Sequence, residues 1–202
     1  PIPVESVADF ECFGSMAGVR KLLQVANPSA LWNLKRVLRE FQPDLVHLRM
    51  FMSQMSPLVL SALKDVPTVH HVVNYDLICP LNVKRLPDGS PCEQKLGVAC
   101  HDHGCLPWIG VARGVAQNRL AHLWLANVDR IVCNSEWVRR RLERENIPVS
   151  GVIWNGIPAR PARDGLSADP LVVCAARLFH KKGVDVLVRA VANLMRDFTN
   201  LR

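Results

Sequence analysis

Short apolar segments alternate with longer amphipathic segments through most of this 202-residue chain. Strands are predicted at 45–48, 67–73, 130–133 and 152–154. Helices are predicted at 31–41, 56–63, 108–127 and from Ser135, a good N-cap, to about residue 145. Strands that alternate with helices are typical of parallel sheets. The pattern therefore predicts an α/β fold with a parallel sheet.

A second unit is predicted near the end of the sequence. Residues 158–170 are rich in Pro, Ala, Arg and Asp and lack periodicity, which favours a linker. The apolar run 171–176 is then expected as a buried parallel strand, and apolar residues at helical spacing follow Gly183. Because the chain starts with Pro1 and stops just after this helix, we expect an internal piece of a longer protein.

The turn between that strand and helix is basic. Arg177 and Lys182 lie just before Gly183, where the helix is predicted to begin. A helix N-terminus at the carboxyl edge of a strand binds anions, and two cations suit a diphosphate. A solvated basic turn is an equally good interpretation of these residues taken alone.

Charge and hydropathy limit the partners and the compartment. The net charge of +7 favours nucleotides, nucleic acid or an anionic membrane surface. No alternation of aromatic and basic residues supports base stacking, so we expect no nucleic-acid partner. No apolar run reaches the ~20 residues of a membrane span, and no secretory signal is visible. These observations predict a cytoplasmic location.

Four ordered segments carry a family resemblance. They are PDLVH at 43–47, YDLICP at 75–80, DRIVCNS at 129–135 with WNGI at 154–157, and ARLFHKKG at 176–183. In this order they resemble the retaining glycosyltransferases of family four, which have the two-domain GT-B fold. The resemblance implies a Rossmann-like acceptor-side domain at 1–157, a linker at 158–169 and the first strand-helix unit of a donor-binding domain at 170–202.

The resemblance also implies an activity. Such enzymes transfer a sugar from a nucleotide-diphosphate sugar to a glycan or lipid-linked acceptor with retention, in polysaccharide or glycoconjugate biosynthesis. Arg177 and Lys182 would be the catalytic pair that neutralises the diphosphate, with Gly183 beside them, and catalysis would need no metal or other cofactor. The acceptor-side loop would be formed by Asn74, Tyr75 and Asp76. For Asp76, a turn-stabilising role is an equal alternative.

The chain also departs from the family pattern. Val73 and Asn74 stand where the family has His and Asp, Ala176 replaces a glycine, and neither the first glycine-rich loop nor the E-x7-E segment is present. His70 and His71 are not expected to replace the missing histidine. A non-catalytic GT-B-like protein that binds nucleotide sugars is therefore the rival hypothesis. We expect no turnover from these residues alone.

Seven cysteines form a second pattern. Cys133 and Cys174 lie in apolar segments and are expected to be small core residues, while Cys12 stands apart. Four others fall in one irregular stretch near two histidines: Cys79, Cys92, Cys100 and Cys105. Four thiolates in a long loop suit a structural zinc ion, although no C-x2-C pair is present. A metal site, a disulfide and free thiols all remain open.

The predicted helix after Ser135 is strongly basic, with arginines at 139, 140, 141 and 144. Glu136, Glu143 and Glu145 lie among them, which favours a solvated helix face. The alternative is contact with anionic lipid at the inner face of the membrane, as a lipid-linked acceptor would require.

Overall fold

The computed structural model describes residues 20–159, 165, 170–178 and 182–202. The chain divides into two compact units, with bounds Pro1–Gly156 and Ile157–Arg202. Cys12 and most of the predicted linker lie outside the described residues, so the linker assignment stays a prediction.

The first unit contains a four-stranded parallel sheet. Its strands are β1 (Val46–Leu48), β2 (Thr68–Val72), β3 (Arg130–Cys133) and β4 (Gly151–Val152), in the spatial order β1-β2-β3-β4. Val46 pairs with Thr68, Val69 with Arg130 and Val132 with Gly151. This architecture confirms the predicted α/β fold with a parallel sheet.

Helices connect the strands. They are α1 (Arg20–Leu23), α2 (Pro28–Phe41), α3 (Ala99–Asp102), α4 (Trp108–Trp124) and α5 (Glu136–Glu143), with 3-10 helices at Pro57–Ala62 and Leu125–Asn127. Neighbouring parallel strands that follow one another along the chain require crossover connections. These crossovers are right-handed, so they all lie on one face of the sheet. That face carries the buried Thr68, His70 and Val72 of β2. The core consequently lies between this face and the crossovers.

Helix α2 begins three residues earlier than its apolar periodicity predicts. Asn27 is its N-cap, since its side chain accepts a hydrogen bond from the Ala30 N–H, and Pro28 follows at the first helical position. The Asn27 N–H donates to Ser56 Oγ at 2.9 Å. This bond ties the start of α2 to the 3-10 helix that opens at Pro57.

Strand β4 is shorter and earlier than predicted. Ile153 and Trp154 were expected within it, but both are exposed beyond its end.

The predicted helix at 56–63 is a 3-10 helix, and the predicted helix at 108–127 ends in a 3-10 turn. Ser135 is the N-cap of α5 as predicted, accepting from the Val138 N–H.

The second unit contains helix α6 (Val184–Leu194) but lacks the predicted strand among its described residues. Val173 is 76% exposed, and Cys174 is exposed too, so the expectation that Cys174 is a core residue is wrong. A parallel strand needs a neighbouring strand to complete its hydrogen bonds. Here Val172 N–H donates to the Arg202 carbonyl and Arg202 N–H donates to the Pro170 carbonyl, which is a pairing at a single point.

Candidate functional site

The carboxyl edge of the sheet in the first unit is polar. Arg49 follows β1, Asn74 and Asp76 follow β2, and Asn134 follows β3. Because the strands are parallel and in register, the segments that leave them meet at one edge, which is where α/β sheets bind ligands. The predicted acceptor-side loop lies at this edge.

Asn74 shapes this loop. Its Oδ1 accepts a hydrogen bond from the Asp76 N–H at 3.2 Å, which closes a turn of the Asx type. Tyr75 is packed against the core, and its carbonyl accepts from the N–H groups of Ile78 and Cys79. Asn74 therefore stabilises this turn, and the turn-stabilising role considered for Asp76 stays a prediction.

The Asp76 carboxyl group is half-buried at this edge. Burial raises its pKa to about 6, although hydrogen bonds from Asn74 and from the backbone act in the opposite direction. A carboxyl group with this pKa changes its charge just below neutral pH. It is therefore suited to hydrogen bonding with hydroxyl groups as donor or as acceptor.

Two further polar atoms near this edge have no partner in the described part of the chain. They are Asn134 Oδ1 and His71 Nε2, and both atoms are buried. Asn134 directly follows Cys133, which pairs with Val72, so it lies opposite the start of the acceptor-side loop. Asn134 was not among the site residues predicted from the sequence. Its polar side chain between a buried strand and a helix N-cap was the available signal.

The histidines of β2 have different surroundings from each other. His70 is buried against Phe51, with ring centroids 5.2 Å apart, and its pKa is lowered to about 4 by burial and then by His71 and His47. His71 lies on the opposite face and stacks on His47 at 5.7 Å. Burial, Arg49 and His47 lower the pKa of His71. His70 is therefore a core residue and remote from solvent.

The predicted donor residues lie in the second unit. Arg177 and Lys182 are both exposed, and no ion pair joins either of them to another described residue. Gly183 is the N-cap of α6 and has φ +64, in the left-handed region that favours glycine. Phe179, His180 and Lys181 lie outside the described residues. Lys182 thus directly precedes a helix N-terminus, as the basic turn predicts.

A family model for the glycosyl transferase 4-like domain matches residues 11–156, which is more than half of the chain. The chain belongs to this family. The match ends where the first unit ends, so this glycosyltransferase domain contains the sheet and the predicted acceptor-side loop. Searches of curated proteins and of solved structures found no match.

The basic helix α5 of the glycosyltransferase domain is only partly solvated. Arg139 pairs with Glu136 and Glu143 on the exposed face, as predicted. The Arg141 side chain is only 5% exposed and donates to the Cys92 carbonyl and to Glu93, which also pairs with Arg144. The expectation of a fully solvated basic face is therefore wrong for Arg141, because the loop after β2 covers it.

No disulfide joins the described cysteines of that loop. Cys79, Cys92, Cys100 and Cys105 are each half-buried, and Cys133 is fully buried in β3 as predicted. In the described ranges, no three Cys, His, Asp or Glu side chains are arranged around a common point as metal ligands. The structural zinc ion therefore stays a prediction.

No helix in the described part of the glycosyltransferase chain is both long and apolar enough to cross a membrane.

Proposed function

We propose that the protein transfers a sugar from a nucleotide-diphosphate sugar to a hydroxyl group of a glycan or lipid-linked acceptor, with retention of anomeric configuration. Membership of the glycosyl transferase 4-like family supports sugar transfer in general. The nature of the donor is supported by the basic turn, and the side on which the acceptor binds is supported by the polar edge of the sheet.

The observation that carries the donor assignment is the position of Lys182 and Gly183 at the start of α6. The free N–H groups of a helix N-terminus carry partial positive charge and attract phosphate oxygens. Lys182 adds a compact charge there, and Arg177 adds a planar group that grips two oxygens. Negative charge grows on the departing diphosphate as the glycosidic bond breaks, so fixed cations lower the barrier.

This arrangement supplies positive charge from side chains and from a helix end. In the proposed mechanism the leaving group is therefore stabilised by the protein itself, and a catalytic metal ion is not required. At the sheet edge, Asp76 and Asn134 would hydrogen-bond the acceptor hydroxyl groups. A lipid-linked acceptor would place the reaction at the inner face of the membrane.

The test is release of nucleoside diphosphate by the full-length protein with a panel of nucleotide sugars. Lys182→Ala removes one of the charges that stabilise the leaving group, and we expect kcat to fall by about 10²- to 10³-fold. Lys64→Ala alters an exposed lysine of the first unit and should leave the rate unchanged. Arg177→Ala has a matched control in Arg196→Ala, an exposed arginine of the second unit. Product anomers identified by NMR would test retention.

The rival hypothesis gives a different result. A non-catalytic protein of this family would bind nucleotide sugar, weakened by Lys182→Ala, yet release no diphosphate with any acceptor. The replacement of the family's His-Asp pair by Val73 and Asn74 favours it, since Asn74 Oδ1 is occupied by the Asp76 N–H. Binding without release across the panel would therefore replace the proposed function.

A further inference from the structure

Helix α4 has an apolar face on each side. One face packs into the core of the first unit through four buried residues: Gly110, Val111, Gly114 and Ala121. The opposite face lies towards solvent, and the residues along it recur at helical spacing and are all apolar: Ile109, Ala112, Ala116, Leu120 and Leu123. A helix on the surface of a domain usually has polar residues on its outer face. This outer stripe therefore indicates contact with a partner.

The outer stripe of α4 is well exposed in the part of the chain that the structure describes. Ile109 near one end of the helix is 81% exposed, and Leu123 near the other end is 64% exposed. Ala112 and Ala116 are exposed between them, and their small side chains allow a partner to approach the helix backbone closely. At the rise of an α-helix, the stripe is about 21 Å long. It is a continuous apolar strip along one whole helix.

Two arginines border the stripe. By helical spacing, Arg113 lies along one side of it and Arg119 along the other. Neither makes an ion pair or a hydrogen bond with another described residue, and α4 contains no Asp or Glu. Arginine stems cover apolar surface while the charged ends stay in a polar layer. The outer face of α4 thus combines apolar contact with uncompensated positive charge.

A tryptophan lies at the start of this face. Trp108 is 55% exposed, and its ring stacks on His101 with centroids 4.2 Å apart, which favours one orientation of the ring. Tryptophan is enriched at the boundary between water and lipid hydrocarbon, because its ring is largely apolar and its indole N–H is polar. Trp108 directly precedes Ile109, so an aromatic side chain of this kind adjoins the stripe.

Helix α2 has similar outer residues. Both α2 and α4 pack on the 3-10 helix Pro57–Ala62, and the Gln117 side chain of α4 donates at 2.8 Å to the carbonyl of Gln24, just before α2. On α2, Trp32 is exposed, and the Arg36 guanidinium lies over its ring at 5.9 Å. Three cations and one carboxylate are exposed on this helix: Lys35, Arg36, Arg39 and Glu40. The helix next to α4 is therefore also basic, with an exposed aromatic ring.

The charges disfavour a second copy of this chain as the partner of α4. Two α4 helices that pair along their stripes, in either direction, bring arginines of the two copies to the same side of the contact. No carboxylate of α4 lies between them, and like charges across an interface repel each other. An anionic membrane instead offers negative phosphate groups above an apolar layer, which matches the arginines and the stripe between them.

We propose that the outer face of α4 docks on an anionic phospholipid membrane, with Ile109 and Leu123 entering the apolar boundary of the lipid layer and with Arg113 and Arg119 contacting lipid phosphates. The helix follows the loop that leaves the carboxyl end of β2, so Trp108 lies at the carboxyl edge of the sheet. The predicted acceptor-side loop lies at the same edge. For a lipid-linked acceptor, which rests on the proposed function, docking would hold this edge close to the membrane.

The experiment is co-flotation of the 202-residue chain with vesicles of phosphatidylcholine, with or without phosphatidylglycerol. We expect binding to the anionic vesicles, weak binding to the neutral ones, and a decrease in binding as salt is added. Ile109→Glu should weaken binding to anionic vesicles by at least about 10-fold, because it places a carboxylate in the apolar stripe. Ile157→Glu, at an isoleucine of the second unit that is 90% exposed, is the matched control and should bind normally. Equal binding to neutral and anionic vesicles, or no binding, would overturn the proposal.

The arginines are tested by a matched pair of double variants. Arg113→Ser with Arg119→Ser should weaken binding to anionic vesicles by about 30-fold, since each cation near the surface contributes about a factor of five. Arg140→Ser with Arg196→Ser removes the same charge from exposed arginines elsewhere and should have little effect. An equal loss in both double variants would show attraction by net charge without a docking face, and would contradict the proposal.

A second measurement uses the unaltered chain and so does not depend on how the variants fold. Hydroxyl-radical labelling and mass spectrometry report the accessibility of side chains with and without anionic vesicles. Vesicles should protect Trp108 and Leu123, whereas Trp137 of α5, also 55% exposed, should stay accessible.

The labelling also separates the other partners. Protection of Trp137 in place of Trp108 would put the membrane on α5. Protection of α4 that rises with protein concentration in the absence of lipid would show a second copy of the chain on this face. Either result would overturn the proposal. These readouts do not depend on glycosyl transfer, so their failure is distinguishable from failure of the donor experiments.

Discussion

The buried His70 makes the free energy of unfolding depend on pH. Its side chain is buried and its pKa is lowered to about 4, whereas an unfolded histidine titrates near 6.5. Above pH 6.5 the group is neutral in both states, and below it the unfolded state takes up the proton first. The contribution of His70 to the free energy of unfolding is therefore complete above pH 6.5. It is lost as the pH falls towards 4, and the total loss is about 3 kcal/mol.

We expect His70→Leu to remove this acid-induced loss, because leucine fills a similar volume without titrating. Urea unfolding at several pH values between 7 and 4 would measure it. His103→Ala, at an exposed histidine, should keep the pH dependence of the unaltered protein. An unchanged pH slope in His70→Leu would contradict the prediction.

Asp76 contributes with the opposite sign in the same pH interval. Its pKa is raised to about 6 in the folded protein from 3.8, so its stabilising contribution is complete below pH 3.8 and is lost as the pH rises through 6. Its contribution therefore partly offsets that of His70 between pH 6 and 4. We expect Asp76→Asn to show a steeper loss of unfolding free energy on acidification than the unaltered protein, measured in the same urea series. An unchanged slope would show that the carboxyl group is solvated in the folded protein and that its pKa is not raised.

At the scale of elements, the contact between the loop after β2 and α4 depends on Gly114. Alanine gains about 1 kcal/mol over glycine within a helix. A Cβ here would meet Pro80 Cγ at 2.6 Å, and a proline ring has little freedom to move away. Overpacking of this kind costs about 1–3 kcal/mol. We expect Gly114→Ala to lower the free energy of unfolding by up to about 2 kcal/mol, which is the overpacking cost less the gain in helix propensity.

A matched control lies on the same helix. In Gly110→Ala the nearest atom is Leu106 Cδ2 at 3.3 Å, the end of a flexible side chain that can rotate away. This variant should be neutral or slightly stabilised in thermal unfolding. Equal destabilisation by both substitutions would show that helix packing in general, and not the Pro80 contact, is responsible.

Sequence patterns predicted some elements correctly and others wrongly. Residues 130–133 and Ser135 were predicted as a strand and a helix N-cap and are found so, because strong local patterns define both. The run 171–176 has an equally apolar pattern but forms no strand, since a strand also requires neighbours. At the candidate site, the loop 74–76 was located from its motif. The unpartnered Oδ1 of Asn134 could not be located from a motif, because its burial results from tertiary packing.

At the scale of the whole molecule, the core belongs to one unit. Every residue of the main core cluster lies between Ala30 and Ile147. Burial of apolar surface is the main source of folding free energy, so the stability of the first unit should not require the second. We expect a chain of residues 1–156 to unfold cooperatively at nearly the same temperature as the 202-residue chain, by differential scanning calorimetry. A broad transition, or none, would show that residues 157–202 contribute to this core.

The alternation of strands and helices, the fold class and the family were determined by the sequence alone, because alternation and motif spacing are local properties of the chain. Tertiary structure decided which polar groups are buried. Arg141 belonged by sequence to a solvated face, yet Glu93 and Cys92 from a distant loop cover it. Likewise Pro80 and Leu96, from the loop after β2, pack against Gly114 of α4. Burial and proximity are set by segments far apart in the chain, and no local pattern encodes them.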